Sequence, residues 1–202
     1  MKTKKVVNQM NPETSITPVY INVHEPNHLS TFCEQLSDYL TSYLPRHNNE
    51  LVIVCIGTDR ATGDSLGPLV GYKLQQLSYE HVTLYGTLDE PVHAKNLEDI
   101  LNTILLEHSN ALVIAIDACL GASQNVGCLT LGEGAIKPGA GVKKELPPIG
   151  HLHITGIVNF SSLMNMVILQ NTRLSLVMKM ADTISSGIKY CLWRYYDHSL
   201  SD

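Results

Sequence analysis

A chain of 202 residues with 44% hydrophobic and 16% charged side chains has the balance of a single globular domain, far from the composition of a disordered chain. Its formal charge of -5 and pI near 6.0 leave no basic footprint to neutralise phosphates, which argues against nucleic acid as a direct partner. Five dispersed cysteines, Cys33, Cys55, Cys119, Cys128 and Cys191, form no CxxC pair and are read as reduced thiols rather than a zinc or redox motif.

The basic start, Met1 to Lys5, runs into polar Asn8-Gln-Met-Asn-Pro12 where a signal sequence needs an apolar core, and no apolar run reaches the roughly 20 residues of a membrane span. The expectation is a cytoplasmic protein with no membrane partner. Residues 1–28 read as a variable tail with one short extended piece at 19–23, and residues 29–202 as one domain. From Ser30 the apolar positions Phe32, Cys33, Leu36, Tyr39, Leu40, Tyr43 and Leu44 recur at helical spacing until Pro45 stops them. Leu51-Val-Ile-Val-Cys-Ile56 is a continuous, largely β-branched run, the pattern of a parallel strand covered on both faces. It breaks into a glycine-rich turn, and a helix is expected over 66–77 with Pro68 in its first turn, where no backbone donor is needed.

A strand over 82–85, a helix marked by Leu97, Ile100, Leu101, Ile104 and Leu105, and a buried strand over 111–116 follow. A short strand is expected at 129–131. The stretch 132–150 is rich in Gly and Pro with no apolar period and reads as a long loop. A strand over 151–158 and a helical stretch over 160–196, broken near Asn171, complete the chain. Met164, Met166, Met178 and Met180 sit among aliphatic residues and read as core. Strands alternating with helices imply a three-layer α/β/α sandwich on a mostly parallel sheet.

In such sheets ligands sit beyond the carboxyl ends of the strands. Asp64 lies in the turn after the first buried strand and Asp117 directly ends the strand 111–116, so both are expected at one edge. Two carboxyls there, each short of water, can share a proton, one activating water and the other polarising or protonating a substrate. The competing reading makes Asp64 a helix cap and Asp117 a turn cap. Asp59 and Arg60 share the first turn and either pair locally or orient substrate; an Asx-turn is the structural role open to Asp59. The turn lacks GxGxxG and the Lys-Ser/Thr ending of a phosphate loop, which disfavours nucleotide binding.

A divalent metal would need a third ligand from His151, His153 or His93 beside Asp64 and Asp117; His151 and His153 alternate on a strand, so only one can face the site. No resident cofactor is otherwise expected. His153 and Lys143, the latter in the glycine-rich loop Lys137-Pro-Gly-Ala-Gly-Val-Lys-Lys144, are the further candidates for substrate contact. Cys119 is a poor nucleophile beside carboxylates, which oppose a thiolate. Asn171, Thr172 and Arg173 open the last helix as either capping residues or an anion contact.

Cys55-Ile-Gly-Thr-Asp-Arg-Ala-Thr-Gly-Asp-Ser-Leu-Gly-Pro-Leu-Val70 resembles a segment of the YyaC-like sporulation proteins, a family related to the germination protease GPR of spore-forming bacteria. Ile114-Ala-Ile-Asp-Ala-Cys119, Lys137-Pro-Gly-Ala-Gly-Val142, Gly150-His-Leu-His-Ile-Thr-Gly-Ile-Val-Asn159 and Leu169-Gln-Asn-Thr-Arg-Leu174 resemble the same family in the same order, over roughly residues 30–195. The resemblance implies an atypical aspartic-type peptidase of the forespore or spore interior. Its catalytic aspartates would match Asp64 and Asp117, and its substrates would be proteins such as the small acid-soluble spore proteins. The fold also resembles the hydrogenase-maturation endopeptidases, in which acidic residues of these segments and a later His meet a metal. The chain is much shorter than the germination protease, and no equivalent of its removable leader is expected in it. The same scaffold also serves for binding alone.

Overall fold

A computed structural model describes residues 19–138 and 146–197. Six strands form one sheet in the order β1-β5-β6-β4-β2-β3: β1 Val19–Asn22, β2 Leu51–Cys55, β3 Val82–Tyr85, β4 Leu112–Gly121, β5 Cys128–Glu133 and β6 Leu152–Phe160. β3, β2, β4 and β6 are mutually parallel, whereas β5 runs against β6 and β1 against β5. Helices cover both faces, giving the mostly parallel α/β architecture that the alternation of elements predicts.

Side-chain alternation in β2 and β4 divides the core. Leu51, Ile53, Cys55, Leu112, Ile114 and Ile116 point to one face, where they meet α1 His28–Tyr43, α2 Leu66–Leu74 and α5 Leu174–Leu192. Val52, Val54, Val113 and Ala115 point to the other, against α3 Leu97–Glu107 and the buried Leu146 and Ile149. Burial on both faces explains why β2 and β4 read as unbroken apolar runs. In α1 the buried positions Phe32, Leu36 and Leu40 recur every fourth residue, one face of a helix. α1 then tightens into a 3₁₀ turn, Leu44–His47, with Pro45 inside it, and left-handed Asn48 ends the turn.

Several boundaries differ from the pattern in the sequence. The piece expected at 19–23 contains β1, an edge strand over Val19–Asn22, with Ile21 inside it and Val23 just after it both buried. α2 stops at Leu74 rather than 77, because its buried stripe Leu66, Val70, Leu74 is followed by polar Gln75 and Gln76. β4 continues to Gly121, since β6 stays paired with it to the end. The stretch 132–150 is not wholly a loop: β5 extends to Glu133, and Ile136 and Ile149 exchange both backbone hydrogen bonds at 2.9 Å. Met180 is core, but Met164 and Met166 are exposed (61% and 46%) around α4 Asn165–Gln170, a helix too short to bury both its sides. The break at 171–173 separates α4 from α5 as expected.

Candidate functional site

From β2 the chain moves outward to β3 and then returns to lay β4 on the other side of β2. The strand order therefore reverses between β2 and β4, and a crevice opens beyond their carboxyl ends. A cavity of about 430 Å³ lies there, lined among others by Arg60, Asp64, His93, Lys95, Asp117 and Met166.

Asp64 is delivered by a turn that only glycine permits at its first position. Gly57 has φ +139, and a Cβ there would lie 2.0 Å from the Asp64 carbonyl oxygen. The Thr58 N–H donates to that oxygen at 3.1 Å and the Asp64 N–H to Ala61 at 2.9 Å, winding residues Thr62–Ser65 into a 3₁₀ turn ahead of α2. Asp64 does not cap α2: Ser65 holds the capping position, with no side-chain cap bond. Burial pushes the Asp64 carboxyl above the usual carboxylate range, partly offset by the Thr58 backbone N–H and by His93.

Asp117 is not the last residue of its strand, as the sequence suggested, but lies within β4. β2 pairs with β4 only as far as Cys55 opposite Ile116, so Asp117 is the first β4 residue past the end of β2. It still reaches the cavity edge for that reason. It is 8% exposed, and its Oδ1 accepts the Ala118 N–H at 2.8 Å. Opposite it on β6 stands Thr155, hydrogen-bonded to Thr130 at 2.6 Å. The Cys119 thiol is pushed up by burial, against the lowering effect of the Thr155 hydroxyl and with a further push from Asp117, the condition of an unreactive thiol.

The other candidates divide. Arg60 lines the cavity; Asp59 is exposed and is not among its lining residues. The Asx-turn open to Asp59 is replaced by Thr58, whose Oγ1 accepts the Arg60 N–H at 3.3 Å. Lys143 lies outside the described residues. His153 pairs with Ala115, two residues before Asp117, and its Nδ1 meets the Gly134 carbonyl at 3.0 Å. His151 is at the opposite end of β4, where its Nδ1 accepts the Val113 N–H at 2.9 Å and its ring lies tilted against that of His47, with centroids 4.7 Å apart. Neither lines the cavity, because the parallel register of β6 on β4 holds both toward the amino ends of the strands. An Asp/Asp/His metal set built on either is therefore not assembled, and among the described residues no three His, Cys, Asp or Glu side chains are placed to hold a metal ion. Arg173 precedes α5 without a side-chain cap, and Thr172 is buried, its Oγ1 donating to Ile168 at 2.9 Å and accepting from Asn159 at 3.2 Å.

The histidine that does reach the cavity is His93, in the β3–α3 connection. An isolated bridge from Ile56 to Val92 and the Gly57 N–H to Val92 bond at 2.8 Å tie that connection to the end of β2. The signal for it is topological: β3 is parallel to β2, so whatever follows β3 emerges at the same edge. Lys95, in the turn before α3, and Met166 and Gln170 on α4 also line the cavity; no motif in the sequence marks them as site residues, since neither a turn nor a helix facing a cavity need carry one.

No helix among the described residues is long and apolar enough to cross a membrane. The "Uncharacterized protein YyaC" of Bacillus subtilis (strain 168) is 53% identical over 156 residues, covering 77% of this chain and 76% of that protein, which bears out the resemblance to YyaC-like proteins. The crystal structure of a NiFe hydrogenase maturation protease, HycI from Thermococcus kodakarensis KOD1, aligns with a TM-score of 0.49 and 16% identity over 71% of this chain and 92% of that one. The pattern described as "Protein of unknown function (DUF1256)" matches residues 20–187, nearly all of the folded unit, and the chain therefore belongs to the DUF1256 family.

Proposed function

We propose that this protein is a peptidase-like hydrolase of the sporulating cell, with Asp64 and Asp117 as its catalytic pair and a protein or peptide as substrate. The observation that carries the reading is that these two carboxyls, far apart in the chain, line one cavity at the reversal of strand order. At about 430 Å³ the cavity falls within the range of small-ligand pockets. Burial keeps a proton on Asp64 to higher pH than on an ordinary carboxyl, which suits it to protonate the departing amine. Asp117 takes the proton of the attacking water in the preceding step. Arg60 and Lys95 at the cavity wall orient the peptide. The resemblance to YyaC-like proteins and the germination protease supports a role in the forespore or spore, with small acid-soluble spore proteins as the first substrates to try.

The test is mass-spectrometric detection of cleavage when the purified protein is incubated with small acid-soluble spore proteins and with a mixed peptide library. Asp64→Asn and Asp117→Asn variants run beside it, with and without a chelator. Each variant is expected to lose at least ~100-fold in rate, the usual contribution of a positioned acid or base, and the chelator to leave the wild type active. Cleavage unchanged in both variants removes the pair from the mechanism. No cleavage by any form favours the rival reading of a noncatalytic binding module on the same scaffold.

A further inference from the structure

Eight imidazoles lie among the described residues, and most of them are hydrogen-bonded within the chain. His24, His28, His47, His108, His151 and His153 each bring a ring nitrogen within hydrogen-bonding range of a protein group, the ordinary structural use of the side chain. His93 does not: its Nδ1 is buried with no hydrogen-bond partner, the one such side-chain atom found among the described residues, and the residue lines the cavity that holds Asp64 and Asp117. Leaving a buried polar atom unmatched carries a free-energy cost, so it calls for an explanation in function.

The backbone of His93, by contrast, is fully tied. Its N–H donates to the Asn96 Oδ1 at 2.8 Å, the Asn96 Nδ2 donates to Pro91 at 3.0 Å, and the His93 carbonyl accepts the Asn96 and Leu97 N–H groups at 3.1 and 3.0 Å. Val92 is bridged to Ile56 on the preceding side. A segment this constrained, placing at the cavity a side chain whose Nδ1 is unmatched, is the arrangement of a supported functional side chain. His93 is also close enough to Asp64 for its charge to act on that carboxyl. The other charged groups on the same cavity are Arg60, Lys95 and Asp117.

We propose that His93 is the proton carrier of the site, returning to Asp64 the proton it gives up in each turnover. The proposal rests on the hydrolase reading above. In that reaction the water oxygen bonds to the peptide carbonyl carbon and its proton passes to Asp117. The C–N bond breaks, and Asp64 delivers its proton to the amine nitrogen. One proton is then on the wrong carboxyl. The imidazole picks it up through the cavity and passes it to Asp64, which restores both groups with one water consumed and no other reagent. His93 is thus a positioning and relay residue, while the bond-making groups are the aspartates.

Two measurements decide it. On a peptide or spore protein that the wild type cleaves, His93→Ala is expected to lower kcat at least tenfold with KM within twofold, and added free imidazole to restore part of the loss. Wild-type kcat in this variant, or a loss that imidazole does not touch in a variant that still folds, overturns the proposal. Independently of any substrate, the Asp64 carboxyl followed by carbon NMR in the full chain should titrate at higher pH in His93→Gln than in the wild type; an unmoved midpoint shows that the two groups do not communicate and also overturns it. His93→Gln serves for kinetics if the alanine variant does not fold. If the wild type cleaves nothing, the hydrolase reading falls on its own, and the carboxyl titration alone decides whether His93 and Asp64 are coupled.

Discussion

Replacing Gly57 with alanine tests how the site is built. Its φ of +139 is a conformation that side-chain-bearing residues rarely adopt, and the new Cβ would sit 2.0 Å from the Asp64 carbonyl oxygen, 3.2 Å from the Asp64 carbonyl carbon and 3.2 Å from the Pro68 ring. Holding an unfavourable backbone conformation costs about 1–3 kcal/mol, and forcing a methyl into a filled space about as much again. The obstacle is backbone, so no side-chain rotation relieves it; the turn carrying Asp64 has to move. Gly57→Ala is therefore expected to lose about 3–5 kcal/mol, a fall in Tm on the order of 10 °C for a domain of this size. Gly134→Ala is the internal control: its φ is +93, but no described residue lies within 4 Å of the added Cβ, so only the backbone cost of about 1–2 kcal/mol applies. Urea denaturation of both variants separates the terms. Equal losses would refute the argument that close packing on Asp64, rather than backbone angle alone, fixes glycine at position 57.

Asp64→Asn should melt above the wild type at pH 7. Burial raises the native carboxyl above its ordinary value near 3.8, so the folded state holds that proton more tightly than the unfolded one. The stability this provides is complete below the ordinary value and is lost as pH rises through the native one; the gap between variant and wild type should close below about pH 4. His151 works with the opposite sign: burial and then His47 lower it from 6.5 to about 4, so the native state resists its protonation and stability falls as pH drops from 6.5 through about 4. His151→Gln should show a shallower fall of Tm over that window, and an unchanged slope would mean that other groups dominate it. Leu66, fully buried where α2 meets the sheet, should cost about 2–5 kcal/mol when cut to alanine, read as a lower urea midpoint at constant m; a loss under about 1 kcal/mol would contradict its place in the core.

The sheet was legible because its central strands are buried on both faces and therefore spell continuous apolar runs; Leu51 to Ile56 and Ala111 to Ile116 need no tertiary information to be recognised. Where a strand ends was not legible. β4 overruns its apolar run because β6 continues beside it to Phe160, a pairing invisible in the segment itself, and so Asp117 lies inside the strand. Asp64 and Asp117 share a cavity because the rule of strand ends is topological and survives an error of several residues. Which of His151, His153 and His93 reaches the cavity was not legible for the same kind of reason. His151 precedes β6 and His153 lies near its amino end, whereas His93 follows the carboxyl end of β3; direction along the strand, not distance in sequence, decides which edge a side chain serves. The exposed Met164 and Met166 show the limit of composition, since an aliphatic neighbourhood does not say which side of a six-residue helix faces water.

The short strand β1 has a bearing on handling the protein as well as on its shape. It occupies the outer side of β5, pairing Val19 to Asn22 with Leu131 to Cys128, and its own outer side is short. A truncation that begins the chain at residue 24 would strip that cover and leave β5 with a row of unpaired peptide groups, the template on which separate copies stick together. Insolubility of such a fragment would then report a bared sheet margin, not a failure of the cavity or of its chemistry.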